Sequence, residues 1–386
     1  MHLVVCSHKP CWPSPSSPTG YATDGGFSFQ VQALSELFES TSLLVPCSRH
    51  GSPAGENPLL GHNLSVTPLS APGGSGLRRK INMLFWVLRN SPRVLREIVR
   101  ADAVHTPIPG DVGTIGMLMA FALRKPLFVR HCGNWFVQRT AAEAFWRWFM
   151  ERFAGGRNVM LATGGAAGPP SSRTQDVRWI FSTSLTEREL KSYGRVRQLP
   201  PPGRVRLIIA CRQELEKGTG VVIESLPLLM RDHPEATLDV LGDGGALPCF
   251  QSLVEKRGLR RRVTFHGKVD HDAVIRQFQC ADLFCFPTVS SEGFPKVVLE
   301  ALACGLPVVT TKVSVLPQLV GRGCGVLLDE ATPFAVASAV RALLSNEEQY
   351  HAMSARAIET AGRYSLERWR DTIGDLLRAS WQCTLD

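Results

Sequence analysis

The chain has 386 residues, 44% of them hydrophobic, and 43 Lys and Arg stand against 34 Asp and Glu for a formal charge of +9. That length suits two domains, each able to bury a core, and no apolar run reaches the roughly eighteen residues that cross a bilayer. The charge favours anionic partners, and no nucleic-acid-binding motif accompanies it, which leaves phosphorylated ligands and anionic membranes. The eleven cysteines are scattered and never spaced Cys-x-x-Cys. With Cys6, Cys211 and Cys285 in or beside predicted strands, they read as reduced, buried thiols rather than a disulfide frame or zinc site. Met1–Cys6 is too short for a leader core and no cleavage pattern follows it, so the expected location is the cytoplasm, with contact to the inner face of a membrane.

His2–Cys6 reads as a first strand. A Pro/Ser/Gly loop follows and ends in Asp24-Gly25-Gly26. A helix then begins, with Phe27, Val31, Leu34, Leu37 and Phe38 on one face. Two glycines between a first strand and a first helix let backbone approach a ligand, although the pair also reads as a plain turn. Residues 46–76 are loop-rich around one short strand at Leu64–Thr67. From Leu77 to Arg100 the chain is basic and apolar: Arg78, Arg79 and Lys80 precede Leu84, Phe85, Trp86 and Leu88, and Arg89, Arg93, Arg96 and Arg100 follow. Such a helix fits the headgroup plane of an anionic bilayer; the alternative is a helix packed on the sheet with a solvated basic edge.

Ala103–His105 and Leu127–Arg130 read as further parallel strands around a helix at Val112–Leu123. Each strand runs into a polar loop at the sheet's carboxyl end, which makes His131 a candidate contact and His105 a lesser one. In Ala141–Phe153 the aromatic residues read as core, with an acceptor-binding or membrane-facing wall as the alternative. Pro200-Pro201-Pro202-Gly203 is a stiff linker and the predicted domain boundary.

A second sheet begins at Arg206–Ala210. Arg212 and Lys217 stand in its first strand-to-helix loop, where two cations can neutralise a diphosphate; the alternative is two solvated loop charges. Thr237–Leu241 ends in Gly242-Asp243-Gly244-Gly245. Val263–His266 runs into Gly267-Lys268-Val269. The Asp270-His271-Asp272 that follows has a metal-site look, but an Asp opening a helix is more often a cap. Leu283–Phe286 is an apolar run without alternation, as in a strand buried on both faces. It leads through a polar loop to Glu292-Gly293-Phe294-Pro295 and a helix at Lys296–Cys304, stopped by Gly305, with Pro307–Thr311 as the next strand. Free amides around Gly293–Val297, at the positive end of that helix, suit an anion. Glu300 can accept from paired hydroxyls and Glu292 can stand ionised among sugar hydroxyls; taken singly, each also reads as a solvated carboxylate. Helices at Phe334–Leu344, Glu347–Ala361 and Ser365–Trp381 close the chain.

Glu-Gly-Phe-Pro-Lys-Val-Val-Leu-Glu-Ala-Leu-Ala-Cys-Gly-Leu-Pro, from Glu292, resembles the Glu-x7-Glu signature of the retaining GT-B glycosyltransferases of family 4. The resemblance is strongest over about 205–330. It implies two Rossmann-like α/β domains facing across a cleft: an acceptor-binding domain at 1–200, a nucleotide-sugar domain at 204–364, and a terminal helix at 365–386 crossing back to the first. It also implies site roles. Glu292, Gly293, Phe294, Pro295, Lys296 and Val297 hold the donor sugar and its phosphates, and Glu300 holds the ribose. Arg212 and Lys217 face the diphosphate, Gly242 and Gly244 form a close-approach turn, and Lys268 and Val269 lie by the base. Gly25 and Gly26 face the phosphates, and His131 reaches the sugar. Val313-Ser314-Val315 departs from the pattern, standing where small glycines are common.

The expected activity is therefore metal-independent, cofactor-free, retaining transfer of a sugar from a nucleotide-diphosphate sugar to a saccharide or lipid-linked saccharide, as in polysaccharide biosynthesis. His131 and Glu292 would be its catalytic residues, and closure of the two domains about 200–203 would exclude water. The rivals are an epimerase or hydrolase on the same frame, and a non-catalytic protein that binds the nucleotide sugar.

Overall fold

A computed structural model describes residues 1–48, 57–71, 76–166, 168–291 and 293–382, with backbone alone at 76–81. It divides the chain into two compact α/β units, one built from 1–164, 168–184 and the segment from Leu366 onward, the other centred on Leu185–Ser365. Glu292 lies outside the described residues.

The first unit runs β1 (His2–Cys6), β2 (Trp12–Pro13), β3 (Tyr21–Thr23), α1 (Phe27–Ser35), β4 (Ser40–Pro46), β5 (Asn57–Pro58), β6 (Leu64–Leu69) and α2 (Gly76–Arg100). It continues with β7 (Ala103–Ile108), α3 (Asp111–Ala122), β8 (Leu127–His131), α4 (Ala141–Phe153), β9 (Asn158–Thr163) and β10 (Val177–Ile180). Seven of these strands form a parallel sheet in the order β10-β9-β8-β7-β1-β4-β6, and β2, β3 and β5 form a small antiparallel ribbon.

Side chains alternate across a strand, and the sheet is covered on both faces. Val4, Cys6, Val104, Val129 and Met160 pack with Trp86, Val94 and Ile98 of α2, Met117 of α3 and Phe149 of α4. Their sequence neighbours Leu3, Val5, Ala103, Phe128 and Leu161 point the other way, onto Val31 and Leu34 of α1. Trp369, Ile373 and Leu377 of the last helix complete that second layer.

The second unit runs α5 (Glu187–Tyr193), β11 (Arg206–Ala210), α6 (Thr219–Leu229), β12 (Thr237–Leu241), α7 (Leu247–Lys256), β13 (Val263–Gly267) and α8 (His271–Cys280). After these come β14 (Leu283–Phe286), α9 (Lys296–Ala303), β15 (Val308–Thr311), α10 (Leu316–Val320), β16 (Gly325–Leu328), α11 (Pro333–Leu344) and α12 (Glu347–Ala361). The last helix, α13 (Leu366–Trp381), belongs to the first unit. The second sheet is parallel, in the order β13-β12-β11-β14-β15-β16. The chain moves outward from β11 to β13, then restarts on the other side of β11 with β14. That reversal opens a crevice at the carboxyl ends of β11 and β14, the place where such sheets bind ligands.

The expected boundary at 200 is corrected to 184/185. Leu185, Leu190 and Val205 are buried in the core of the second unit. The irregular segment after α5 is clasped there by Arg197, whose guanidinium donates to the carbonyls of Cys304 (3.0 Å), Phe278 (2.9 Å) and Gln279. The prolines at 200–202 therefore lie inside the second unit. β2, β3, β4, β5, β9, β10, β16, α5, α7 and α10 were not anticipated from sequence. The ten described cysteines are free, and Cys132, Cys249 and Cys280 are exposed rather than buried.

Candidate functional site

Four loops converge at the carboxyl edge of the second sheet. The loop after β11 is laced to its neighbours by Gln213, which is fully buried. Its Nε2 donates to Leu241 O (2.8 Å) and Cys211 O (3.1 Å), and its Oε1 accepts from Thr219 Oγ1 (2.8 Å). One uncharged side chain thus ties the ends of β11 and β12 to the start of α6. The loop after β14 joins them, because Val289 N and Thr288 Oγ1 both donate to Glu216 O, at 2.9 and 3.1 Å.

Two glycines allow this closeness. Gly242 has φ +107°, and a Cβ there would stand 1.9 Å from Cys211 O. A Cβ on Gly244 would stand 2.5 Å from Gln213 O. No other residue fits the turn without moving backbone.

The loops enclose a cavity of about 670 Å³ lined by Ala210, Cys211, Arg212, Leu241, Gly242, Asp243, Gly244, Lys268, Val269, Val274, Val297 and Glu300. The volume falls in the range that holds small-molecule ligands. Arg212 and Lys268 are exposed cations at its wall. Apolar lining comes from Leu241, Val269, Val274 and Val297. Two carboxylates line the cavity: Asp243, which is exposed, and Glu300, one turn into α9 and only 13% exposed. Burial raises its pKa, while His271, with Nδ1 3.7 Å from Glu300 Oε1, and Lys296 pull it back. Cations, close-set backbone and a screened carboxylate can bind a group that joins an anion to vicinal hydroxyls.

The structure gathers Arg212, Gly242, Gly244, Lys268, Val269, Val297 and Glu300 around one cavity. Lys217 ends a single 3-10 turn in the β11 loop. Gly293 and Phe294 precede Pro295, the N-cap of α9, and Lys296 opens the helix; none of these lines the cavity. Phe294 packs its ring against Tyr364, with centroids 5.6 Å apart. Asp270 caps α8 by accepting from Ala273 N at 2.7 Å.

Gly25, Gly26 and His131 stand on the first unit. Gly25 is exposed with φ +65°, and Gly26 caps α1. His131 ends β8 and is 3% exposed, with its ring edge-on to Trp135 at 5.4 Å. Burial brings its pKa down to about 4, with Glu143 and the Gly133 backbone acting weakly the other way. The ring is therefore neutral at neutral pH. His105 is lower still, at about 3, because it is buried and faces Arg130, while its hydrogen bond with the Phe128 carbonyl acts the other way; its ring also stacks on Phe128.

Sequence reading missed Gln213 and the contact of His271 with Glu300. Gln213 left no signal, being a single uncharged residue between two charged ones. His271 was visible, but inside a motif read as a helix cap.

Residues 195–360 match the family model described as glycosyl transferases group 1. A curated D-inositol 3-phosphate glycosyltransferase of Corynebacterium urealyticum is 32% identical over 205 residues, which cover 51% of this chain and 48% of the relative. A phosphatidyl-myo-inositol mannosyltransferase of Mycobacterium leprae is 30% identical over 173 residues, 44% of this chain and 46% of the relative. An alpha-D-kanosaminyltransferase of Streptomyces kanamyceticus is 27% identical over 323 residues, 76% of this chain and 81% of the relative. The chain thus spans about half the length of the first two relatives. Among solved structures, Anabaena Alr3699/HepE in complex with UDP aligns with TM-score 0.69 at 15% identity, covering 98% of this chain and 100% of that one. WaaG, a glycosyltransferase of lipopolysaccharide biosynthesis, aligns with TM-score 0.64 at 15% identity, covering 98% and 99%. The chain therefore carries a glycosyl transferases group 1 domain over 195–360 and has the two-unit Rossmann-like fold of the GT-B enzymes.

Proposed function

We propose that the chain transfers a sugar from a nucleotide-diphosphate sugar to a saccharide or lipid-linked saccharide, with retention of anomeric configuration, at the cytoplasmic side of a membrane. The observation that carries this reading is the cavity at the switch point of the second sheet, where Arg212, Lys268, two close-approach glycines and the screened Glu300 meet. In this reading Glu300 accepts from the ribose hydroxyls, and Gly242 and Gly244 let the nucleotide lie against backbone. Arg212 and Lys217 take the diphosphate, together with the amides that open α9. By resemblance to the family, Glu292 orients the sugar, and Gly25, Gly26 and His131 serve the donor from the first unit.

Charge grows on the departing diphosphate as the C1–oxygen bond breaks. Groups already aimed at that charge favour the transition state over the ground state. The acceptor oxygen forms the new bond to C1 on the same face, and its proton goes to the leaving phosphate. Two side-chain cations and a helix N-terminus supply the positive charge that a metal would otherwise bring, so the reaction as proposed needs neither metal nor cofactor. The relative that acts on phosphatidyl-myo-inositol favours a lipid-linked acceptor. A hydrolase would need a base to activate water, and His131, held near pKa 4, is a poor one.

A thermal-shift panel of UDP, GDP and ADP with their common sugar conjugates tests the donor site. One nucleotide raising the melting temperature of the wild type, but not of Arg212→Ala, is the expected result. No shift with any of them defeats the reading. Product anomer by NMR and activity in excess EDTA test retention and metal independence.

A further inference from the structure

Helix α2 has two unlike faces, one buried and one exposed. At about 100° per residue, Trp86, Asn90, Val94 and Ile98 fall in one row, and all four are buried. This row is the sheet side. Trp86 Nε1 donates to Ser70 O at 2.5 Å, and Asn90 Nδ2 donates to Ser70 Oγ at 2.8 Å, which fixes the helix's rotation about its axis.

On the far side, Leu84, Leu88, Leu95 and Val99 share a second row, with Phe85 at its edge. Their exposures are 63, 67, 43, 54 and 66%. Arg89, Arg93, Arg96 and Arg100 line the flank of this row and are all exposed. The only acid on the helix is Glu97, half-buried on the side away from the row. An apolar strip this exposed is unfavourable in water unless something covers it.

Among the described residues no helix is long and apolar enough to cross a membrane. A helix locked by one face to a folded unit, with an apolar row beside a row of guanidinium groups, fits a surface that is apolar below and anionic at the top. The other helices of that layer add exposed apolar side chains, Leu118 on α3 and Trp148 on α4. We propose that α2 docks the first unit onto an anionic lipid bilayer, with Leu84, Leu88, Leu95 and Val99 entering the acyl boundary and the arginine row meeting lipid phosphates. The occupant is a lipid surface rather than a second copy of the chain, because a two-fold pairing of this helix would bring arginine rows together without acids to meet them. The proposal stands apart from the donor chemistry.

The full chain is co-sedimented with vesicles of phosphatidylcholine alone and of phosphatidylcholine mixed with phosphatidylglycerol, at low and high salt. The wild type is expected to pellet with the mixed vesicles, weakly with the neutral ones, and less at high salt. Leu88→Glu places a charge at the centre of the strip, at a position too exposed to disturb folding, and is expected to abolish binding with an unchanged melting temperature. Arg89→Ala with Arg96→Ala is expected to weaken partition by about fivefold per arginine. Equal binding to both vesicle types, no binding, or full binding by Leu88→Glu overturns the proposal. So does a wild-type dimer in light scattering that Leu88→Glu dissolves, since a second copy would then occupy the strip.

Discussion

The two units end their parallel strands in contrasting ways. In the second, the carboxyl edge is open: glycines bring loops within touching distance, Arg212 and Lys268 stand exposed, and a cavity remains between them. In the first, the titratable groups at β7 and β8 are sealed in. His105, Arg130 and His131 are each at most 3% exposed, and both histidines are held neutral by burial. Arg130 has no carboxylate partner among the described residues; it donates to Gln30 Oε1 at 2.9 Å and lies over the Trp369 ring at 5.0 Å. The same class of sheet thus serves two ends. One edge keeps its charges in water around a cavity, and the other uses its polar groups to join α1, β8 and α13.

This contrast predicts where substitutions affect activity and where they affect stability. Arg212→Ala should lower turnover by about 10²–10³-fold, the usual cost of one aligned charge-stabilising donor, and leave the melting temperature unchanged. A fall in melting temperature would make Arg212 structural. Gly242→Ala should cost about 3 kcal/mol in urea unfolding, because its Cβ collides with Cys211 O and its φ of +107° disfavours a side chain. Wild-type stability there would mean that the loops are looser than described.

The sealed edge should show itself in acid. His131 and His105 have lower pKa values folded than unfolded, so the unfolded chain takes up protons first as pH falls. The stability this represents is complete above about 6.5 and drains as pH approaches the folded values; for His131, falling from 6.5 to about 4, the loss is at most about 3 kcal/mol. Urea unfolding at pH 7 and pH 4.5 should show that loss, and His131→Gln should remove its share and leave the share of His105. An unaltered slope in the variant would place the acid sensitivity elsewhere.

At the junction, Arg197→Ala should cost about 2 kcal/mol by leaving the Cys304, Phe278 and Gln279 carbonyls short of a donor. It should also expose the 185–205 segment to protease; equal cleavage would detach that segment from the second core. Smallest of all, Glu300→Gln should raise the nucleotide Kd by about tenfold without loss of stability, since it removes a charge that burial disfavours. A 2′,3′-dideoxy nucleotide should bind both forms alike; discrimination between them would move the ribose away from Glu300.

Legibility in the sequence followed the same division. β11 and β14 were readable as short unbroken apolar runs and β15 by its paired valines, while β12 and β13, broken by Asp239 and by Thr264 and His266, were marked by the glycine turns that close them. The site glycines and cations stood in the loops those strands define. β4 escaped because it opens Ser-Thr-Ser, and β9 and β10 because they flank a Gly/Pro/Ser stretch. The boundary was misplaced because a proline run resembles a linker, whereas the deciding contacts are those of Leu185, Leu190 and Arg197 with residues far along the chain. Gln213 was invisible for the same reason: its role lies in three hydrogen bonds that only the folded loops create.

The most direct test of the central claim is a crystal structure of the full chain grown with the nucleoside diphosphate that stabilises it most. The account predicts that the nucleotide fills the cavity of the second unit, its phosphates within hydrogen-bond reach of Arg212 and its ribose on Glu300. A nucleotide bound elsewhere, with that cavity holding only solvent, would contradict it.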